Sequence, residues 1–431
     1  MNNYIKKQLK NILITSIPGD KSISHRALIL ASAAQGISRI KGVSLCKDCL
    51  STLGCLRAIG AEIKLEKDEA IITGKGLSLL SEPEKTLDCQ NSGTTARLLS
   101  GILSASGFNC ILTGDASLKA RPMKRIIEPL ILMGAKINSP DGAHLPLYIK
   151  GRPLKGIDYF SKIASAQVKS AILFAGIHAE GKTTVSEPRL SRNHSEIMLK
   201  GFGVDIRTGR LGSAYFASVS GCNRLYAQAM TIPGDISSAA YFMAAALIMP
   251  GLHLIIKNVG INPTRDGVIR VFREMGAKIN LLEVHNLDTE PYADIEIKSS
   301  KLHCIRIEGE IIPSLIDEIP IICAVACFAE GKTVIREASE LKVKESDRIK
   351  VMCSELAKLG ADITEVEDGM IIKGEKKLHA AEIDSYNDHR IAMTFAVLNL
   401  ALDGKIKIKG RECVDVSYPE FYTDIKKIFL K

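Results

Sequence analysis

Apolar residues along the chain gather into long Ala/Ile/Leu-rich stretches that each stop at a glycine, and the stops are evenly paced. They are Gly36 in AAQG, Gly107 in SASG, Gly181 in HAEG, Gly251 in IMPG, Gly331 in FAEG and Gly404 in ALDG, between 70 and 80 residues apart. Self-similarity at a fixed period marks a repeat architecture. Each stretch predicts a helix of about four turns, ending at a glycine where a left-handed cap costs least. The residues after the glycine are β-branched, as in KTTVSE and KTVIRE, and predict a strand. A second, amphipathic helix follows and ends on a common spelling: GAEI at Gly60, GAKI at Gly134, GVDI at Gly203, GAKI at Gly276 and GADI at Gly360. A strand or two then completes the unit, as in EIKLEKDEAIIT. The sixth copy of this marker is missing.

Six units divide naturally into three and three. The turn IPGD occurs twice, at residues 17–20 and 232–235, at the two seams of that division. Pro and Gly there punctuate a chain passing between domains. A chain of 431 residues is also too long for one ordinary core. The expectation is an α/β (α+β) fold with two similar three-unit domains. One spans 19–231; the other combines 1–18 with 232–431.

Composition narrows the function classes. Lys and Arg exceed Asp and Glu by 57 to 48, a mild basic excess. This suits acidic small molecules better than nucleic acid, because no arginine-rich tract or RNP-like aromatic motif is present. The 11 cysteines are scattered among apolar residues, which points to reduced thiols in a cytoplasmic protein. CKDC (Cys46, Cys49) has redox spacing without a thioredoxin-like context, and no zinc spacing appears. The N-terminus lacks the apolar centre of a signal peptide, and the longest apolar run, 239–249, is too short to span a membrane. GIHAEGKT, 176–183, spells a Walker A loop, but its context is helix then strand, the reverse of what a phosphate-binding loop needs.

The unusual polar clusters share one address, the beginnings of helices. GDKSISHR, QNSGTTAR (90–97), SAQVKS (165–170), SLIDEIP (314–320) and YNDHRIA (386–392) open long helices, while the fourth unit carries the bare GDISSAA. KARPMKR (119–125), LSRNHSE (190–196) and KVKESDR (342–348) open second helices. Helix starts present unpaired N–H groups and the positive end of the dipole, so lysine and arginine there make sense where an anion is held. Ser22 with Arg26, and Lys344 with Arg348, are spaced i,i+4, which predicts that each pair shares a helix face.

PGDKSISHRALILASAAQG, NSGTTARLLSGIL, RPMKRIIEPL, SAQVKSAILFAG, LKVKESDRI and NDHRIAM resemble the signatures of the 5-enolpyruvylshikimate-3-phosphate synthase family, a likeness that covers nearly the whole chain in order. The resemblance implies two domains of three βαβαββ units, an inverted α/β barrel-like arrangement with the active site in the interdomain cleft. It implies transfer of the enolpyruvyl group of phosphoenolpyruvate to the 5-hydroxyl of shikimate 3-phosphate by addition–elimination through a tetrahedral intermediate, in aromatic amino acid biosynthesis. No metal or organic cofactor is implied; the partners are the two small-molecule substrates, with no nucleic acid or membrane, and the enzyme is a cytoplasmic monomer. Shikimate 3-phosphate falls to Lys21, Ser22, Arg26, Ser165, Gln167, Arg192, Asp317 and Lys344. Phosphoenolpyruvate falls to Lys21, Asn91, Gly93, Arg121, Gln167, Arg348, His389 and Arg390. Asp317 is the implied base toward the 5-hydroxyl, with Glu345 or Lys21 protonating the methylene carbon. Glycine at 93 implies a glyphosate-sensitive type of pocket. One departure stands out: some members carry a lysine where this chain has Val416. The alternatives are a related enolpyruvyl transferase acting on UDP-N-acetylglucosamine, which would want a reactive loop cysteine near Cys89 or Cys110, and a non-catalytic binder of phosphorylated metabolites that would not need Asp317 or Glu345.

Overall fold

The computed structural model describes residues 11–76, 80–221, 224–285 and 290–429. The chain divides into two units: Gly19–Ile232 with Leu287–Glu290, and Met1–Pro18 with Pro233–Asn286 and Pro291–Lys431. The seams fall inside the two IPGD turns. The one excursion is the short segment ending at Glu290, which groups with the first unit, whereas the sequence reading keeps it in the other domain.

In the Gly19–Ile232 unit, three four-stranded sheets surround three long helices, Lys21–Ala33, Gly93–Ser104 and Ala166–Gly176. Every sheet has the same plan. Its first strand pairs in parallel with the second, which pairs antiparallel with one arm of a hairpin. Leu87–Asp88 lies beside Asn109–Thr113, and Asp158–Phe160 beside Lys182–Glu187. In the remaining sheet the parallel edge is Ala229–Thr231, which pairs with Gln35–Lys41 after the chain has run through the whole unit.

The second unit repeats the plan around Ile236–Ile248, Ile319–Ala326 and His389–Ala401. Its first sheet takes its edge strand, Ile12–Ile14, from before the first seam, with Ile12 opposite Leu254. Each seam therefore carries an edge strand belonging to a sheet completed elsewhere along the chain. All 13 residues of Ile236–Ile248 are buried, which is why that stretch reads as apolar all round rather than amphipathic. The sixth unit is shorter than a full βαβαββ copy. Among the described residues it has only Glu382–Asp384 paired in parallel with Lys407–Lys409, then a final helix, Phe421–Phe429, whose Phe429 stacks on Phe242 while Phe421 packs tilted against it, with Tyr418 beside them.

Two helix-level expectations need correction. The glycines after the long helices do not cap them: those helices end at Ala33, Ser104, Gly176, Ile248, Ala326 and Ala401, before the glycine or, in one case, on another. Five of these glycines have positive φ and turn the chain into the next strand, while Gly107 does not. The left-handed cap instead belongs to the second helices. At Gly60 the N–H donates to the Arg57 carbonyl and the next N–H, of Ala61, to Leu56; Gly134, Gly203, Gly276 and Gly360 repeat the pair of bonds. This is the Schellman motif, and it explains the marker: glycine supplies φ near +90°, and the small residue after it tucks against the last turn. Lys344 and Arg348 also do not share a helix face. Lys344 follows the short 3-10 turn Ser339–Val343, and Arg348 begins the helix Arg348–Lys358.

Candidate active site

In the Gly19–Ile232 unit the three long helices start with side chains that cap their own first turns. Asp20 accepts from the Ile23 N–H at 2.9 Å, Ser92 from Thr95 at 3.2 Å and Ser165 from Val168 at 3.5 Å. The helix starts are therefore not bare. What remains for a ligand is the dipole, the other N–H groups and the cations placed around them.

Those cations are held in defined places. Lys21, the first residue of its helix, pairs with Asp48 at 2.8 Å. Arg26 is buried and donates Nε to Ser195 Oγ and Nη2 to Ser170 Oγ, both at 2.7 Å, and Nη1 to the Ser22 carbonyl. Burial draws its pKa down to about 10, which still leaves it charged at neutral pH. Arg192 reaches Ser22 Oγ at 3.3 Å from the turn before the helix His194–Gly201. That turn is braced from below. Lys169, 2% exposed, bonds Glu187 at 2.8 Å, Glu196 at 2.7 Å and the Ser191 carbonyl, while Glu187 accepts from Ser191. Burial works against the Lys169 charge, but the two carboxylates outweigh it and raise its pKa. His25 is fully buried beside Lys21 and Arg26; burial first, then those two charges, hold its pKa well below the usual value, and its Nδ1 meets Thr52 Oγ1 at 2.6 Å.

A second group in the same unit surrounds Gly93. Arg121, 9% exposed, donates to Asn91 Oδ1 at 2.6 Å, and Asn91 donates in turn to Asp115. Arg97 donates to Gln167 Oε1 at 2.7 Å, and Gln167 donates to Thr94 Oγ1 at 3.0 Å. A Cβ on Gly93 would sit 2.8 Å from Arg97 Nη1 and 3.5 Å from Arg121 Nη1. Glycine thus leaves room for the Arg97 guanidinium close to this helix start, whereas Arg121 would meet a Cβ at ordinary contact distance.

In the other unit the charges condense on Arg348, 1% exposed. It meets Asp388 (Nε–Oδ2 2.8 Å, Nη2–Oδ1 3.2 Å), Glu345 at 2.7 Å and Asp317 at 3.3 Å. Lys344 meets Asp317 at 3.5 Å and Glu340 at 2.9 Å. Burial opposes both cations, yet the carboxylates hold both above their ordinary pKa values, Asp388 leading for Arg348 and Asp317 for Lys344. Asp388 also caps the helix His389–Ala401 by accepting from the Arg390 N–H at 2.9 Å, so His389 and Arg390, both buried, occupy that helix's first turn. Asp317 and Glu345 therefore face the same guanidinium. Val416 ends the 3-10 turn Arg411–Val416.

Sequence reasoning missed Asp48, Arg97, Ser170, Ser195, Asp388 and Glu318. Most were inside quoted blocks: Asp48 is the third residue of CKDC, whose two cysteines are buried, and Arg97 closes QNSGTTAR. The Walker-like 176–183 is indeed helix then strand, Ala166–Gly176 followed by Ala179–Glu180 and Lys182–Glu187. Among the described residues no helix is long and apolar enough to cross a membrane, and no cluster of three potential metal ligands occurs.

The repeated sheet-and-helix plan of this chain is similar to that of solved enolpyruvyl transferases. The enolpyruvyl transferase NikO from Streptomyces tendae superposes with a TM-score of 0.76 over 97% of this chain and 94% of its own, a likeness of fold at 16% identity. EPSP synthase from Acinetobacter baumannii is similar at a TM-score of 0.87 and 43% identity, covering 98% and 96% of the two chains. The 3-phosphoshikimate 1-carboxyvinyltransferase of Thermoanaerobacter sp. (strain X514) is 50% identical over 417 residues, 97% of each chain. The family model described as EPSP synthase (3-phosphoshikimate 1-carboxyvinyltransferase) matches residues 5–425. The chain belongs to this family, and the enzyme accordingly is an enolpyruvyl transferase of the shikimate pathway.

Proposed function

We propose that the two clusters serve one reaction, the transfer of the enolpyruvyl group of phosphoenolpyruvate to the 5-hydroxyl of shikimate 3-phosphate. The substrates bring two phosphates and two carboxylates. Fixed guanidinium and ammonium groups at helix starts meet such charge without reorganising during the reaction. Lys21, Ser22, Arg26, Ser165, Gln167, Arg192, Asp317 and Lys344 hold shikimate 3-phosphate. Lys21, Asn91, Gly93, Arg121, Gln167, Arg348, His389 and Arg390 hold phosphoenolpyruvate.

The observation that carries the reading is the placement of Asp317 between Lys344 and Arg348, with Glu345 on the same guanidinium. Two carboxyl groups fixed by one shared cation can divide acid and base duties. Asp317 takes the proton of the attacking hydroxyl, and Glu345 or Lys21 delivers a proton to the methylene carbon. A tetrahedral adduct forms; it then loses phosphate from the former C2 and a proton from the new methyl group, which restores the double bond as the enol ether. A passive binder has no use for such a pair. Action as a cytoplasmic monomer is part of the same reading, and light scattering of the purified enzyme tests the oligomeric state.

Mixing the enzyme with both substrates and following inorganic phosphate tests the reading. Release is expected with both substrates present and absent when either is withheld. A folded enzyme that releases none would overturn it. Asp317→Ala is expected to lose turnover while still binding phosphoenolpyruvate.

A further inference from the structure

The two IPGD turns open helices of opposite character. Lys21–Ala33 starts with Lys21, Ser22 and Arg26, whereas Ile236–Ile248 starts with small and apolar residues. At the second of these helix starts the protein supplies its own anion. The Glu318 carboxylate, fully buried, accepts a short hydrogen bond from the Ser237 hydroxyl in the first turn of Ile236–Ile248. Arg265 closes over the same turn, donating Nη2 to Ser237 Oγ at 2.7 Å and to Asp235 Oδ1 at 3.3 Å, with Nη1 3.8 Å from Glu318 Oε1. Glu318 also precedes the helix Ile319–Ala326, so it lies at two helix starts at once.

Asp235 and Glu318 contribute −2 and Arg265 +1, which leaves −1 in a site where no member is more than 10% exposed. A second cation lowers the cost of burying that charge. Arg390 supplies it: its Nη1 lies 3.6 Å from Glu318 Oε1, and its side chain is 8% exposed. Tyr241, from the same Ile236–Ile248 helix, lies close enough to Arg390 for that charge to act on its phenol.

We infer that Glu318 is a positioning residue that fixes the Arg390 guanidinium in the orientation in which it receives phosphoenolpyruvate. The inference rests on the reading above in which Arg390 contacts that substrate. Glu318 itself is fully buried and held through Oε1 by the Ser237 hydroxyl, with Arg265 beside it, so it is a fixed reference point rather than a solvated counter-ion. A guanidinium drawn on one side toward a buried carboxylate turns its remaining N–H groups the other way, and small misplacements of such groups are expensive.

Glu318→Gln keeps the shape and the acceptor for Ser237 but removes the charge. It is expected to raise the KM for phosphoenolpyruvate about tenfold, while kcat and the KM for shikimate 3-phosphate stay within about twofold. Arg390→Lys is expected to raise the same KM, and adding Glu318→Gln in that background to raise it no further. A raised KM in Arg390→Lys with a parental KM in Glu318→Gln would overturn the inference alone, as would effects that simply multiply in the double variant. A parental KM in Arg390→Lys would overturn the substrate role of Arg390 and the inference with it. Should Glu318→Gln fail to fold, Glu318→Asp keeps the charge but withdraws it by one methylene. It is read by the same split between the two KM values, and a parental phosphoenolpyruvate KM there overturns the inference.

Discussion

Asp388 performs two jobs that substitution can separate. One oxygen, Oδ1, caps the His389–Ala401 helix through the Arg390 N–H and also accepts from Arg348 Nη2; the other, Oδ2, accepts from Arg348 Nε and Ser346 Oγ. Both members of the Asp388–Arg348 pair are at most 1% exposed. In Asp388→Asn the cap survives, since asparagine caps as well as aspartate. The new amide NH₂, however, faces donors on the Oδ2 side, so the cost is about one charge-assisted hydrogen bond, roughly 2–3 kcal/mol. In Asp388→Ala the pair and the cap are both lost. Leaving a buried partner costs about 3–5 kcal/mol, and the cap adds about 1 kcal/mol, for about 4–6 kcal/mol in all. Because the chain has no tryptophan, the assay is far-UV circular dichroism during urea unfolding, with the two units fitted as separate transitions. The reasoning is refuted if Asp388→Ala costs no more than a cap, about 1 kcal/mol, or if the two variants are equally destabilised. Either result would mean that Arg348 draws its stability from Glu345 and Asp317 alone.

Three further outcomes follow from the geometry. Gly93→Ala puts a methyl 2.8 Å from Arg97 Nη1 and should break the Arg97–Gln167 bond, raising the KM for phosphoenolpyruvate about tenfold with little change in thermal stability; an unchanged KM would show that Arg97 yields at no cost. Lys169→Met strands Glu187 and Glu196 in a dry site and should destabilise its unit by about 3–5 kcal/mol, measurable as a lower unfolding midpoint, and a neutral result would contradict the bracing role given to this triad. Burial keeps His178 neutral down to a pKa of about 4 in the folded state, against an ordinary value of 6.5. The unfolded chain therefore binds the extra proton between pH 6.5 and about 4, so stability falls as pH drops through that window, by up to about 1.4 kcal/mol per pH unit from this group. His178→Gln should flatten that slope, and a slope unaltered in urea titrations at pH 6 and pH 4.5 would count against it.

The repeat was legible because period and burial coincide. A helix buried on every side must be apolar on every side, and a turn needing positive φ must be glycine, so both wrote themselves into the letters six and five times over. The site was legible where a charge sits at a helix start, as with Lys21, Arg348 and Arg390. What stayed hidden was the counter-charge. Asp48, Asp388 and Glu318 each lie next to a residue that drew attention, but a buried carboxylate is recognised by what folds against it, across 27 to 81 residues of chain. No local pattern records such a distance. The glycine at the end of each long helix misled for a related reason: the spelling shows that a left-handed residue is needed near the helix end, but not on which side of the turn it falls.

The edge strand Ile12–Ile14 has a consequence for how the enzyme is made. Its side of the ladder begins at Asn11, whose amide oxygen meets the His253 ring 242 residues along the chain. On a ribosome, residues 19–232 can finish their own three sheets while this strand still waits for a partner not yet synthesised. Birth order and assembly order thus run opposite ways for Ile12–Ile14, and the slow step of maturation should be the late docking of this strand.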